Sequence, residues 1–134
     1  MVTAGYENNG VAEFIENSEQ EVFPKDTVTI DMFGNVFYRD YSYSADDNIL
    51  VLFEKVVIPP EAKIFIVSLI NKSLCSKFSY SKQYRMRSFD ETKIKLPTKN
   101  NKVDFSFMEN FILEIQKERI EKLNDYLEEM KFKN

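Results

Sequence analysis

The sequence predicts an α/β fold of α+β-like character, with a mixed, mostly antiparallel sheet, a buried helix and a long projecting C-terminal helix. Three observations point there. Short alternating runs rich in Val, Ile, Thr, Phe and Tyr lie between residues 27 and 53, broken by turn residues. A densely apolar stretch follows Pro59-Pro60. Residues 105–131 then run without Gly or Pro in a helical apolar rhythm. A chain of 134 residues carrying this set is one domain, with a core that stabilises it only modestly.

Taken in order, residues 2–9 are polar and end in Asn8-Asn9-Gly10, a strong turn signal, before a candidate strand at 11–14. Residues 16–21 are acidic and are expected to be solvated. Phe23-Pro24-Lys25-Asp26 turns the chain into a strand at 27–30. Gly34-Asn35 sits between two β-rich runs, which predicts a hairpin with its second arm at 36–39. A Tyr-rich loop at 41–47 leads to a strand at 48–53. After the Pro pair, Ile64, Phe65, Val67, Leu69 and Ile70 make the helix at 61–73 apolar nearly all round, hence buried. In the following basic stretch, alternation of Lys93 and Lys95 with Ile94 and Leu96 predicts a short strand at 92–96, stopped by Pro97. Residues 98–103 read as a polar loop. Asp104 is the N-cap candidate for a helix from 105 to about 131. Met108, Phe111, Ile112 and Ile115 form its first apolar face. Ile120, Leu123, Leu127 and Met130 then repeat at 3-4-3 spacing, with Leu113 and Gln116 extending the series backward, a coiled-coil seam too short to stand without a partner helix.

Composition narrows the chemistry. With no His and one Cys, neither a conventional zinc site nor an imidazole mechanism is expected, and no Asp-rich loop has calcium or magnesium spacing. Three glycines are too few for a phosphate-cradling Gly-rich loop, so no cofactor is expected. Cys75 lies in an apolar run and is expected to be a buried thiol. No apolar run approaches the ~20 residues of a membrane span and no secretory signal is evident, so a soluble, cytoplasmic protein is expected.

Charge is unevenly distributed. Residues 72–102 hold nine Lys/Arg against Asp90 and Glu91, a net +7, so the remainder nets −11 within a total of −4. Phe78, Tyr80, Gln83 and Tyr84 interleave with the cations. Lysines neutralise phosphates and fix register, while Arg and Gln can pair with guanine and adenine edges. The bland alternative is a solvated charged loop, but this mixture is unlike an ordinary Lys/Glu surface. At the hairpin, Val28, Ile30, Val36 and Phe37 read as core, whereas Phe33, Asn35, Tyr38 and Arg39 put ring, amide and cation at its tip and flank. The sequence pI near 5.0 argues against a tight, nonspecific DNA binder acting alone. Two Glu-x-Lys matches, Glu61/Lys63 and Glu91/Lys93, could suggest a metal-dependent nuclease, but two copies show how cheap the match is.

Several runs together resemble a family. Asn8-Asn9-Gly10-Val11, the stretch 26–39 (DTVTIDMFGNVFYR), Ala45-Asp46-Asp47-Asn48-Ile49, the stretch 78–85 (FSYSKQYR), Ile94-Lys95-Leu96-Pro97 and residues 104–109 with the helix behind them resemble the target recognition domain of type I restriction-modification specificity subunits. The resemblance covers most of the chain in the family's order. It implies a non-catalytic domain, residues 1–103, that reads one half of a bipartite site on double-stranded DNA, and a helix, 104–134, that pairs with a second such helix and docks a methyltransferase subunit. DNA contacts would fall on Asn8, Asn9, Phe33, Asn35, Tyr38, Arg39, Lys77, Tyr80, Lys82, Gln83, Tyr84, Arg85 and Arg87. Helix pairing, as a homodimer or otherwise, would fall to Ile120, Leu123, Leu127 and Met130. Such subunits mostly carry two recognition domains, which implies a half-subunit or truncated form here. The rival readings are a helix-mediated protein-interaction module and the small nuclease built on Glu91 and Lys93.

Overall fold

The computed structural model describes residues 1–6, 10, 11 and 21–132. Three strands, β1 (Thr27–Asp31), β2 (Val36–Arg39) and β3 (Ile49–Leu52), form an antiparallel sheet in the order β2-β1-β3. Thr29 at its centre pairs with Phe37 on one side and Val51 on the other. Helix α1 (Pro60–Leu74) follows, then a short α2 (Met86–Glu91), a small hairpin of β4 (Thr98–Lys99) and β5 (Lys102–Val103), and α3 (Phe105–Phe132). The named strands all pair antiparallel, and the parallel component is an isolated bridge between Val2 and Ala45. Among the described residues, no helix is long and apolar enough to cross a membrane.

Period-two alternation sends Val28 and Ile30 to one face of β1 and Thr27, Thr29 and Asp31 to the other. Both faces are covered. Ile30 and Val36 pack on Val67, Ile70 and Leu74 of α1, with Tyr84 completing the cluster and Ile94 and Phe78 at its margin. Fully burying an aliphatic side chain such as Ile30 contributes about 2 kcal/mol. On the opposite face Val2, Tyr43 and Ile49 form a second cluster with Phe23, Tyr41 and Val51. This face is partly polar: Thr27, Thr29, Tyr41, Tyr43 and Arg39 find partners there, while the buried Ser44 hydroxyl has none among the described residues. The Thr27 and Tyr43 hydroxyls share a 2.6 Å hydrogen bond. Arg39 Nε donates to Thr29 Oγ1 at 3.1 Å and Nη1 to the Tyr41 hydroxyl at 3.0 Å, while the guanidinium lies 4.8 Å from the Phe37 ring centre. Arg39 is 2% exposed. It holds this layer together and has no surface with which to meet a duplex, which corrects its assignment as a DNA contact.

Pro60 suits the first turn of α1, where its missing N–H leaves no bond unmade. The all-round apolar character has its reason in the packing: α1 lies between the sheet and α3, with Phe65 edge-on to Phe107 and Phe111 of α3. At its N-terminal end the Lys63 amine donates to Asp26 O at 2.8 Å and Oδ2 at 2.7 Å, and lies 3.1 Å from Glu54 Oε2. Lys63 of the Glu61/Lys63 pair is thus a structural cation. Asp104 caps α3 as predicted, its Oδ1 accepting the Phe107 N–H at 2.9 Å. Met108 is fully buried and Ile112 and Ile115 are half-buried, whereas every residue from 116 to 131 is exposed.

Three expectations change. Residues 92–96 are not a strand: Lys93 and Lys95 do face out and Ile94 does pack inward, but no neighbouring strand pairs with them among the described residues. The pairing lies instead in 98–103, where Asn100 and Asn101 both have positive φ (54° and 64°), the geometry that closes a two-residue hairpin. Cys75 is exposed rather than buried, because it follows the last residue of α1. Of the strand expected at 11–14, Val11 forms a single bridge to Val2 and the rest lies outside the described residues, as do Asn8 and Asn9.

Candidate nucleic-acid interface

Asp31 closes the β1–β2 turn. Its Oδ1 accepts the N–H groups of Phe33 (2.9 Å) and Asn35 (3.0 Å), and its Oδ2 accepts Gly5 N–H (2.8 Å) and Asn35 Nδ2 (3.0 Å). Gly34 follows at φ +77°, where a Cβ would stand 3.1 Å from the Phe78 ring and 3.4 Å from Leu74 Cβ. Glycine therefore serves both the turn and the close approach of the basic loop to it. Tyr84 anchors that loop from the other side. Its N–H donates to Met32 O at 2.7 Å, its ring meets Phe78 edge-on at 4.9 Å, and its hydroxyl shares a 2.7 Å hydrogen bond with Thr92. Burial raises the Tyr84 phenol pKa, the Thr92 bond opposing that shift. At 1% exposure Tyr84 is a core residue, which corrects its assignment as a base-stacking ring.

Between these anchors the loop turns tightly, with reciprocal backbone hydrogen bonds between Ser79 and Lys82. Tyr80 stands at its apex, 78% exposed, propped edge-on at 4.9 Å by Phe33 from the hairpin turn. The Lys82 amine lies 5.8 Å from the Phe78 ring centre. Lys77, Lys82 and Lys93 line one shallow depression of about 390 Å³, in which Glu91 is the acid. Arg85 donates to Asn48 Oδ1 at 3.2 Å and to Gln83 Oε1, while Arg87 lies on α2 with Glu91 at 3.6 Å and its side chain 92% exposed.

Hairpin turn and basic loop, separate in sequence, thus form one surface carrying Phe33, Asn35, Lys77, Tyr80, Lys82, Gln83 and Arg85, with Arg87 exposed on the helix that follows. Asn35 has its amide tied to Asp31 and is part of the turn. Tyr38 belongs elsewhere: its hydroxyl donates to Asp26 Oδ1 at 2.6 Å at the opposite end of the sheet, and burial, then that bond and the Asp26 charge, push its pKa up strongly. Sequence reasoning missed Asn48. Its only local signal is a polar residue at the mouth of a strand, and its relevance comes from a neighbour far along the chain.

The family model of the type I restriction modification DNA specificity domain matches residues 1–125. The chain belongs to that family. Specificity domains are non-catalytic modules that recognise DNA targets within type I systems, in association with methyltransferase subunits. The match runs from the N-terminal segment through the sheet and basic loop and well into α3. No curated protein and no solved structure matches the chain.

Proposed function

We propose that this specificity domain directs a type I methyltransferase and endonuclease complex to one DNA sequence, in the cytoplasm, with methylation and cleavage carried out on partner chains. The observation that carries this reading is the joining of the hairpin turn to the cationic, aromatic loop at one end of the sheet. Lys77, Lys82 and Arg87 hold backbone phosphates and fix register, while Arg85 and Gln83 face base edges with Tyr80 beside them. A domain with a formal charge of −4 does this best inside a complex, where partner surfaces add to the attraction.

The exposed seam of Ile120, Leu123, Leu127 and Met130 supports pairing of α3 with the same helix of a second copy and docking of the methyltransferase subunit on the pair. Two copies related by a twofold axis read a spaced palindrome. The experiment mixes the full chain with a type I methyltransferase subunit and maps methylated sites across a genome. A single spaced, symmetric motif is the expected result, and methylation without a shared motif would overturn the proposal.

A further inference from the structure

Arg85 is held at its backbone and again at its head group. The chain reaches it from buried Tyr84, and Arg85 itself is extended (φ −131°, ψ 179°), its N–H donating to Ser88 Oγ at 3.1 Å as α2 begins. The guanidinium is then fixed from two sides, Nη1 by Asn48 Oδ1 at 3.2 Å and Nη2 by Gln83 Oε1. Asn48 is itself well placed to be a rigid partner. Its N–H donates to Asp46 Oδ1 at 2.9 Å, and Asp46 N–H donates to Val2 O at 3.1 Å. The next residue, Ile49, pairs with Asp31, whose carboxylate organises the hairpin turn.

The chemistry of these two partners matters more than their number. Both are neutral amides, which orient a guanidinium while leaving its charge intact. Lys63, by contrast, is met by the carboxylates of Asp26 and Glu54 and has its charge consumed inside the fold. With one N–H of each terminal nitrogen engaged, Arg85 keeps a second N–H on each, and its Nε–H, for an outside acceptor. Its rotamer freedom is reduced before any ligand arrives, so less is lost on binding. A phosphate needs only charge within reach. A guanine edge, with O6 and N7 side by side, rewards a guanidinium held in one plane.

Resting on the DNA-recognition reading above, we propose that Asn48 is a positioning residue for sequence readout: with Gln83 it presents Arg85, charge intact, to a guanine in the major groove. Asn48 acts through Arg85 and touches no base itself.

The test uses the full chain assembled with a type I methyltransferase subunit, selected on randomised duplex DNA, as wild type, Asn48→Ala, Arg85→Ala and the double variant. Arg85→Ala is expected to lower the preference for guanine at one position by about 10- to 100-fold. Asn48→Ala should lower it at that same position by roughly a tenth to a half of the full effect on a logarithmic scale, and the double variant should match Arg85→Ala alone. Salt dependence of binding should be unchanged in Asn48→Ala, since no phosphate contact is lost. Asn48→Ser, which keeps a side-chain oxygen acceptor, should recover part of the preference. An Asn48→Ala variant that loses no preference, weakens every position evenly, or adds in full to Arg85→Ala overturns the positioning role while leaving the DNA reading intact. If Arg85→Ala leaves every position as in wild type, the reader itself is wrong. If wild type selects no sequence, the recognition function fails.

Discussion

The two ends of the three-stranded sheet treat charge in opposite ways. At the end where β1 begins, Lys63, Asp26, Glu54 and Tyr38 close on one another through hydrogen bonds of 2.6 to 2.8 Å and an ion pair of 3.1 Å. At the end where β1 turns into β2, Lys77, Lys82 and Arg85 stand exposed, Lys82 beside the Phe78 ring and Arg85 against the amides of Asn48 and Gln83. The first arrangement fastens α1 to the sheet, and the second leaves its cations open to solvent. What separates a cation fastened inside the fold from an accessible one is the chemistry of whatever holds it, and that is not visible in a residue type.

Removing the group that organises the open end should have the largest effect. Asp31→Ala strands the N–H groups of Gly5, Phe33 and Asn35, and a urea titration should show about 3 kcal/mol of lost stability. At the closed end, Lys63→Met leaves two carboxylates without their cation. Breaking a buried pair costs about 3–5 kcal/mol, but the carboxylates are 37% and 33% exposed and water can take them up, so about 2 kcal/mol is expected. The same variant should leave the selected DNA sequence unchanged, which an open-end variant would not.

The closed end also predicts a pH signature. Partial burial raises the Asp26 pKa, but hydrogen bonds from Lys63 and Tyr38 and the Lys63 charge outweigh it and leave a net lowering from 3.8. A carboxylate lowered on folding contributes stability that is complete above its unfolded pKa and is lost as pH falls through the lower folded value. Acid unfolding below about pH 4 should therefore include a step from Asp26, and Lys63→Met should shrink it. A variant whose acid limb superimposes on wild type would contradict the pairing.

Much of the fold was legible because strands 27–31, 36–39 and 49–52, α1 and the capped start of α3 follow from local signals: alternation, a Gly-Asn turn, a Pro pair and an Asp cap. The false strand at 92–96 shows the limit of alternation, which reports which side chains face in but not whether another strand lies alongside. The Asn100-Asn101 turn carried a hairpin signal that its polar setting hid. Within the candidate site, Arg39 and Tyr84 share the residue types of a DNA contact but are buried, since their partners Thr29, Tyr41, Met32 and Thr92 come from folding. Asn48 was unreadable for the converse reason.

Smaller effects sharpen the contrast. Lys77→Ala and Lys82→Ala should each reduce the salt slope of DNA binding by about 1 while leaving the recognised sequence as it was. Smallest for the isolated chain are changes in the seam: Leu123 and Leu127 are 56% and 49% exposed, so Leu123→Glu and Leu127→Glu should shift unfolding by no more than about 0.5 kcal/mol. Sedimentation of wild type and the same variants tests the proposed helix pairing: a dimer is expected for wild type and a monomer for the variants.

Photo-crosslinking tests the contrast most directly. A photoreactive amino acid is placed at Tyr80 on the open end or at Lys55, an exposed residue lining the same cavity as Asp26 and Lys63 at the closed end, in the full chain assembled with a type I methyltransferase subunit and bound to the recognised duplex. Crosslinks to DNA from position 80 and none from position 55 are the predicted result. Crosslinks from position 55 with position 80 silent would contradict the account.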